Sequence, residues 1–182
     1  MEESNIRFSI LICSLEERQS QLSLLLSDLD RQKTDEVEIL TNIDNRQKTT
    51  GAKRNELLLQ ARGDYIAFVD DDDKVVSNYI PRILAAIQSN PDCVGIEGSI
   101  AFASKGIVRK FIHSLRYNCW YQENDIYYRC PNHLNPVRRE IALRVMFPDI
   151  SVGEDKIYSK KLYPLLKTEV HIDGPIYFYF AS

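Results

Sequence analysis

The chain has 182 residues, of which 44% are hydrophobic and 27% are charged, as in a globular domain with a real hydrophobic core. The formal net charge of −3 excludes a general electrostatic attraction to nucleic acid or to an anionic membrane surface. No apolar stretch approaches the ~20 residues of a membrane-spanning helix, so the sequence predicts no transmembrane segment.

Strand and helix patterns alternate through the first half of the chain. The apolar run at residues 8–13 predicts a buried strand, and Ser14 with Glu17 forms a capping-box pattern that predicts a helix start. The further predicted elements are a strand at 37–40, a polar loop at 41–50, a helix at 51–62 ended by Gly63, a strand at 65–69 and a helix capped by Ser77 that ends at 90. This alternation predicts a parallel, doubly wound sheet with right-handed crossovers.

The second half of the chain is less regular. Its predicted elements are short strands at 94–96, 99–103 and 107–111, an aromatic-rich segment at 118–136, helices at 138–146 and 155–166, and a last strand at 176–180. No linker or internal repeat interrupts the sequence, so we expect a single domain over residues 1–182.

Cysteine usage and the N-terminus bear on the compartment. The four cysteines are widely spaced and form no CxxC pair, which argues against a zinc site or a disulfide framework. Residues 1–5 are acidic and polar and carry no signal-peptide pattern. We therefore expect a cytoplasmic protein.

Four consecutive aspartates, Asp70 to Asp73, directly follow the predicted strand at 65–69. Like charges this dense repel one another, so a folded chain tolerates them at a solvated surface or around a cation. The carboxyl end of a strand is also where open α/β sheets place their ligands. Hard oxygen ligands there suit Mg²⁺ or Mn²⁺, and a solvated acidic turn is the alternative.

A second acidic centre, Glu154 and Asp155, stands at the start of a predicted helix. A single carboxylate of this kind can serve as a general base. The alternative is an acidic residue that the helix dipole favours in a first turn.

Several segments together resemble the GT-A glycosyltransferases of family two. They are the opening strand at 8–14, the Gly51-Ala52-Lys53-Arg54-Asn55 run, the stretch at 61–73 that ends in the aspartates, the stretch at 133–140 and the Gly153-Glu154-Asp155-Lys156 run. The resemblance implies a Rossmann-like α/β fold, a three-layer sandwich with a mostly parallel central sheet. Residues 1–100 would form the nucleotide-sugar-binding half, and residues 101–182 the less regular acceptor and catalytic-base half.

The resemblance also implies roles for individual residues. Asp72, with Asp70, would bind the metal, and Asp155 would take the proton from the acceptor hydroxyl. Asp73 would be the solvated start of the next loop. The expected donor-binding residues are Ser14, Asp44, Arg54, Asp70 and Asp71, and the expected acceptor-side residues are Glu154, His133 and Trp120. His133 and His171 could each also be a metal ligand or a satisfied histidine, and Trp120 could stack on a sugar face or be half-buried packing.

The activity that the resemblance implies is inverting, metal-dependent transfer of a sugar from a nucleotide-diphosphate sugar, with Mn²⁺ or Mg²⁺. The acceptor hydroxyl could belong to a glycan, a glycolipid, a metabolite or a modified nucleic acid. A homo-oligomer or a partner protein that completes the site would fit the short chain. The alternatives are a nucleotidyltransferase, whose Gly-rich signature is missing from residues 13–18, and a non-catalytic nucleotide-sugar-binding or scaffold protein.

Overall fold

The computed structural model describes residues 6–181 as one mixed β-sheet covered by helices. The acidic segment at 1–5, on which the expectation of no signal peptide depends, lies outside the described residues. The strands are β1 (Phe8–Leu15), β2 (Val37–Asp44), β3 (Tyr65–Phe68), β4 (Lys74–Val75), β5 (Cys93–Phe102), β6 (Ile107–His113), β7 (Tyr121–Glu123), β8 (Ile126–Arg129), β9 (Val137–Arg138) and β10 (Glu169–Ala181). The α-helices are α1 (Gln19–Asp30), α2 (Thr50–Gln60), α3 (Tyr79–Ala86), α4 (Arg139–Val145) and α5 (Glu154–Leu162).

The strands follow the order β2-β1-β3-β9-β5-β6-β8-β7, and β10 pairs with β5 and β4 outside this path. Strand β1 is parallel to both β2 and β3, and β10 is parallel to β5. The predicted fold class, a Rossmann-like α/β sandwich, is therefore confirmed. In the part of the chain that is described, no helix is long and apolar enough to cross a membrane.

Alternation along the central strands creates two cores, one on each face of the sheet. Ile10 and Ile12 of β1 pack in the core that contains the leucines of α1 and the isoleucines of α3. Leu11, which points the other way, packs with Leu57 of α2 and Leu162 of α5. Successive side chains of a strand point to opposite faces, so one buried strand holds both helix layers.

Three predicted boundaries in the first half are wrong. Strand β1 continues through Ser14, and α1 begins only at Gln19 after a 3-10 turn, because the Ser14 hydroxyl bonds to Asp71 instead of capping a helix. The predicted loop at 41–50 begins too early, since β2 runs to Asp44 beside β1. Helix α2 ends at Gln60 rather than at Gly63, whose α-carbon packs so closely on Ser9 that a Cβ would lie 2.6 Å from the hydroxyl oxygen.

The structure also revises the remaining elements. Asn78, not Ser77, precedes the first residue of α3. The predicted strands at 94–96 and 99–103 are the single strand β5, which forms the expected antiparallel hairpin with β6. The aromatic segment contains the β7–β8 hairpin, and the last strand is much longer than predicted because it follows β5 through register shifts near Pro175.

Candidate active site

The aspartate run occupies the turn between β3 and β4, at the carboxyl end of the parallel strands. Its first carboxylate, Asp70, has two cationic or polar neighbours. Arg54 Nη2 lies 3.1 Å from Asp70 Oδ1, and His133 Nε2 lies 3.4 Å from Oδ2. Burial alone would raise the pKa of Asp70, but His133 and Arg54 outweigh it and hold that pKa well below its usual range. Asp70 is therefore ionised.

Asp71 and Asp72 differ in how fully their charges are compensated. Asp71 is buried, and its carboxylate accepts hydrogen bonds from the Ser14 hydroxyl (2.6 Å) and from Arg18 Nη1 (2.8 Å). The side chain of Asp72 is 40% exposed and contacts Arg18 at a longer 3.3 Å. Partial burial, followed by the repulsion of Asp71 and Asp70, raises the pKa of Asp72 despite Arg18. Of Asp70, Asp71 and Asp72, Asp72 therefore has the negative charge that neighbouring cations and hydrogen-bond donors compensate least.

Asp73 is not the solvated start of a loop, and this prediction is wrong. It is only 3% exposed, and its carboxylate accepts hydrogen bonds from the Tyr177 hydroxyl (2.7 Å) and the Phe180 N–H (2.9 Å). Burial and then the charge of Asp70 raise the pKa of Asp73 to about 8. The Tyr177 hydroxyl also accepts a hydrogen bond from the Asp70 N–H (3.1 Å). This carboxyl attaches the aspartate turn to β10.

Arg54 lies between the two acidic centres. Its guanidinium is buried, contacts Asp70 on one side and lies 2.9 Å from Glu154 Oε1 through Nη1 on the other. Burial alone would lower the pKa of Arg54, but the charges of Asp70 and Glu154 outweigh burial and raise this pKa above its ordinary value. The guanidinium is therefore always charged. The rings of Phe68 and Phe147 lie 5.5 and 5.4 Å from the guanidinium carbon. The first turn of α5 is therefore connected to the aspartate turn through one side chain.

A cavity of about 530 Å³ opens beside Asp70, Asp71 and Asp72, and we refer to it as the donor cavity. Ser14 lies at its β1 side, and Lys53 lines it from α2. Lys53 Nζ is buried and donates hydrogen bonds to Asp44 Oδ1 (2.7 Å) and to the Ser14 carbonyl (2.8 Å). That hydrogen bond lowers the pKa of Asp44. Asp44 thus acts on this cavity through Lys53.

A second cavity of about 340 Å³, here the acceptor cavity, contains Asp155, Glu154, His133 and Trp120 among its lining residues. One oxygen of Asp155 accepts the Lys156 N–H (2.7 Å), and the other lies 4.0 Å from His133 Nδ1. His133 is 7% exposed, and its Nδ1 has no hydrogen-bond partner within the described chain. The structure therefore brings the predicted metal-binding and base carboxylates to opposite sides of one imidazole.

The two cavities meet: residues Asp70, Ser151 and Tyr179 line both of them. This junction joins the aspartate turn to the start of α5. Of the predicted donor-binding residues, Ser14, Asp70 and Asp71 line the donor cavity, and Asp44 contacts it through Lys53. Arg54 instead lines the acceptor cavity, because its guanidinium lies between Asp70 and Glu154. The predicted acceptor-side residues all line the acceptor cavity.

His171 lies in a different cluster. Its Nε2 is 3.4 Å from Glu97 Oε1, and Asp173 completes a group whose ligand atoms all lie within 4.8 Å of one another. Lys110 Nζ, 2.7 Å from Glu97 Oε2, already compensates part of the negative charge there. His171 thus lies where the pairing of β5 and β10 shifts register, and it contacts Glu97 of β5 rather than the aspartate turn.

Sequence reasoning missed Tyr177, Tyr179 and Arg18. Arg18 precedes a helix, and the two tyrosines come from a strand more than a hundred residues after the aspartates. Lys53, which lines the donor cavity, was given no role of its own. Its position beside Arg54 at a helix start was a detectable signal, because it places two cations near the strand ends.

One protein-family model and several solved structures are similar to this chain. The family model described as "Glycosyl transferase family 2" matches residues 9–159. No curated protein sequence matches the chain. Residues 1–349 of S. aureus TarS have a similar fold, with a TM-score of 0.74 at 16% identity, and the match covers 96% of this chain and 60% of that one.

Two structures with bound donors are also similar. TarS 1–349 in complex with UDP-GlcNAc gives a TM-score of 0.72 at 17% identity and covers 97% of this chain and 59% of that one. The mannosyltransferase PcManGT from Pyrobaculum calidifontis, in complex with GDP-Man and Mn²⁺, gives 0.61 at 11% identity and covers 94% and 56%. The chain spans about three fifths of the length of these proteins.

Proposed function

This chain belongs to glycosyl transferase family 2, and from that premise we propose that it transfers a sugar from a nucleotide-diphosphate sugar to an acceptor hydroxyl, with a divalent cation and with inversion at the anomeric carbon. The observation that carries the proposal is the junction of two cavities at Asp70, with three aspartates on one side and Asp155 on the other. Structures of similar fold were solved with UDP-GlcNAc and with GDP-Man and Mn²⁺, which supports a nucleotide-sugar donor.

The donor cavity carries the cations that a diphosphate needs. Lys53 and Lys48 line it from α2 and the preceding loop, and Arg18 and Arg46 line it from the other side. Cationic side chains bind phosphate oxygens through charge-assisted hydrogen bonds. In this proposal the nucleoside lies against Ser14 at the end of β1, and Asp44 holds the Lys53 ammonium in position through their hydrogen bond.

The residues present fit a hard divalent cation. Asp70 and Asp72 both line the donor cavity, and Asp72 is partly exposed with Arg18 as its one ion-pair partner among the described residues, at 3.3 Å. We propose these two as the ligands of Mn²⁺ or Mg²⁺, with Asp71 held back by Ser14 and Arg18. When bound, such a cation supplies Lewis-acid stabilisation of the departing diphosphate.

Asp155 is the proposed general base. An acceptor hydroxyl is a poor nucleophile and needs a base within hydrogen-bond reach. Asp155 lies in the acceptor cavity, where its second oxygen is directed to the side of His133 and away from the Lys156 N–H. Attack from this cavity on a sugar held in the donor cavity is in line with the leaving group, and it inverts the anomeric carbon.

Arg54 and Glu154 take a positioning role in this proposal. Arg54 lines the acceptor cavity and contacts Asp70 and Glu154. Because a buried cation between two carboxylates fixes both in place, Arg54 sets the distance between the aspartate turn and α5. Glu154 then directs the adjacent Asp155 into the acceptor cavity.

A thermal-shift screen of UDP-, GDP-, CDP- and dTDP-sugars, with and without Mn²⁺, tests the proposal. A donor that binds only the folded state raises the unfolding midpoint by mass action, and we expect one nucleotide class to do so in a Mn²⁺-dependent way. The variant D72N should lose this Mn²⁺-dependent shift, and its matched control is D64N, the same change at the exposed, opposite end of β3.

The outcome of the screen is decisive for the activity. If no nucleotide-sugar stabilises the wild type, with or without Mn²⁺, the transferase proposal fails. Formation of a nucleotide-sugar from a nucleoside triphosphate and a sugar phosphate would instead assign a nucleotidyltransferase. Proton NMR of the anomeric signal of the product distinguishes inversion from retention.

A further inference from the structure

The acceptor cavity contains a cation, Arg129, that has no direct carboxylate partner among the described residues and feels the charge of Asp155 only from beyond ion-pair distance. Arg129, at the end of β8, lines this cavity, and its guanidinium carbon lies 4.4 Å from the centre of the Trp120 ring. Within residues 6–181, Arg129 forms no ion pair with a carboxylate inside 4.0 Å. A guanidinium that is held on an aromatic face without a direct ion pair keeps hydrogen-bond donors that an anionic ligand can use.

Trp120 connects the acceptor cavity to a neighbouring one. Its indole also lines a third cavity of about 370 Å³, here the side cavity, and its Nε1–H donates to Ser159 Oγ (3.3 Å). Arg129 and Ser159 thus fix the ring from two directions. Fixed aromatic rings that border two adjacent cavities can pack on successive units of a chain-like ligand at little cost in conformational entropy.

The side cavity is cationic. Lys156 and Lys160 line it from α5, and its floor is formed by Cys130 and Ser159. The two lysines are four residues apart, which places them on the same face of the helix. Neither lysine forms an ion pair with another described residue, and none of the described residues that line the cavity is acidic.

Three cations therefore lie on two adjacent cavities, Arg129 with Asp155 in the acceptor cavity and Lys156 with Lys160 in the side cavity, on a chain whose net charge is −3. We propose that the side cavity is a second acceptor subsite, and that the acceptor is an anionic glycan whose phosphate or carboxylate groups contact Arg129, Lys156 and Lys160. This inference rests on the proposed function, because it takes the acceptor hydroxyl to lie at Asp155. It narrows the acceptor to one charge class.

Trp120 is the only tryptophan of the chain, so its emission reports directly on this subsite. We would titrate the protein, without donor, with tetragalacturonate, with a phosphorylated maltotetraose and with neutral maltotetraose. We expect at least one anionic oligomer to change the emission with an affinity that falls as salt increases. The neutral oligomer should bind at least ~10-fold more weakly. The two anionic probes distinguish carboxylate from phosphate recognition.

The variant K156Q/K160Q should weaken binding of the anionic oligomer about tenfold, because two solvent-exposed ion pairs are lost. The matched control is K161Q, the same change on the same helix at a residue outside the side cavity. Equal affinities for charged and neutral oligomers, or equal losses in both variants, would overturn the proposal. The proposal would also be overturned if none of the three oligomers changed the Trp120 emission.

The two proposals fail separately. If a nucleotide-sugar stabilises the protein and no anionic oligomer reaches Trp120, only the subsite is wrong. If the oligomer binds and no nucleotide-sugar does, the transferase proposal is the one that fails. Unfolding midpoints of both lysine variants check that these exposed substitutions leave the fold intact.

Discussion

Replacing Asp73 with asparagine should stabilise the protein increasingly as the pH rises from 5 to 7. In the folded chain the pKa of Asp73 is raised to about 8 by burial and by Asp70, whereas an unfolded aspartate titrates near ~3.9. Between these values the folded state holds a proton that the unfolded state has released. The contribution of this carboxyl to stability is therefore complete below about pH 4 and is lost as the pH approaches 8.

The size of the effect follows from linkage. A difference of one bound proton changes the free energy of unfolding by about 1.4 kcal/mol per pH unit. Between pH 5 and pH 7 the wild type should thus lose up to about 3 kcal/mol relative to D73N. Asparagine keeps a polar partner for both groups: its carbonyl can accept the Phe180 N–H, and its amide can donate to the Tyr177 hydroxyl, which reverses the direction of that hydrogen bond.

Urea unfolding of the wild type and D73N at pH 5, 6 and 7 measures this difference. Taking the difference between the two proteins removes the titration of other groups that do not contact Asp73. The D64N variant, with the same substitution at an exposed aspartate, should show no such trend. A wild-type-minus-D73N difference that stays constant over this pH range would refute a protonated Asp73.

Three further substitutions test the site. D72N should abolish Mn²⁺-dependent binding of a nucleoside diphosphate in calorimetry, because the cation loses the least compensated carboxylate; unchanged affinity would remove Asp72 from the metal site. D155N should leave donor binding intact and slow sugar transfer by about 10²-fold or more, and near-normal turnover in a product assay would show that Asp155 is not the base. R54Q should lower the free energy of unfolding by about 3–5 kcal/mol, since Asp70 and Glu154 then share no cation, and R54Q/E154Q should recover part of this loss; a loss below ~1 kcal/mol in denaturant unfolding would contradict the bridging role.

The parts of the fold that could be predicted are those written in local patterns. The apolar runs of β1 and β3 predicted parallel, buried strands, and the aspartates after β3 predicted a polar edge at the carboxyl ends of those strands. The family resemblance then correctly gave the fold class. These signals work because strand burial and strand direction are decided by residues close together in the sequence.

What could not be predicted depends on partners that are distant in the sequence. Ser14 resembles a helix cap locally, yet its hydroxyl bonds to Asp71, 57 residues away. Asp73 resembles a solvated turn residue, yet Tyr177 buries it from 104 residues away. Arg54 and Glu154 are 100 residues apart, so neither local sequence pattern indicates their ion pair. A single sequence gives the residue types but not these long-range contacts.

The attachment of the aspartate turn to β10 has a consequence for how the site assembles. Tyr177 and Phe180 reach Asp73 across 104 and 107 residues, and loops of this length close late in folding. During synthesis, β1, β2 and β3 can pair while β10 is still inside the ribosome, but the aspartate turn remains without its anchor. Until β10 docks, the turn has the contacts of Asp71 with Ser14 and Arg18 but lacks those of Asp73 with Tyr177 and Phe180. Ligand affinity should consequently be the last property that a refolding protein regains, after its helices and its central strands.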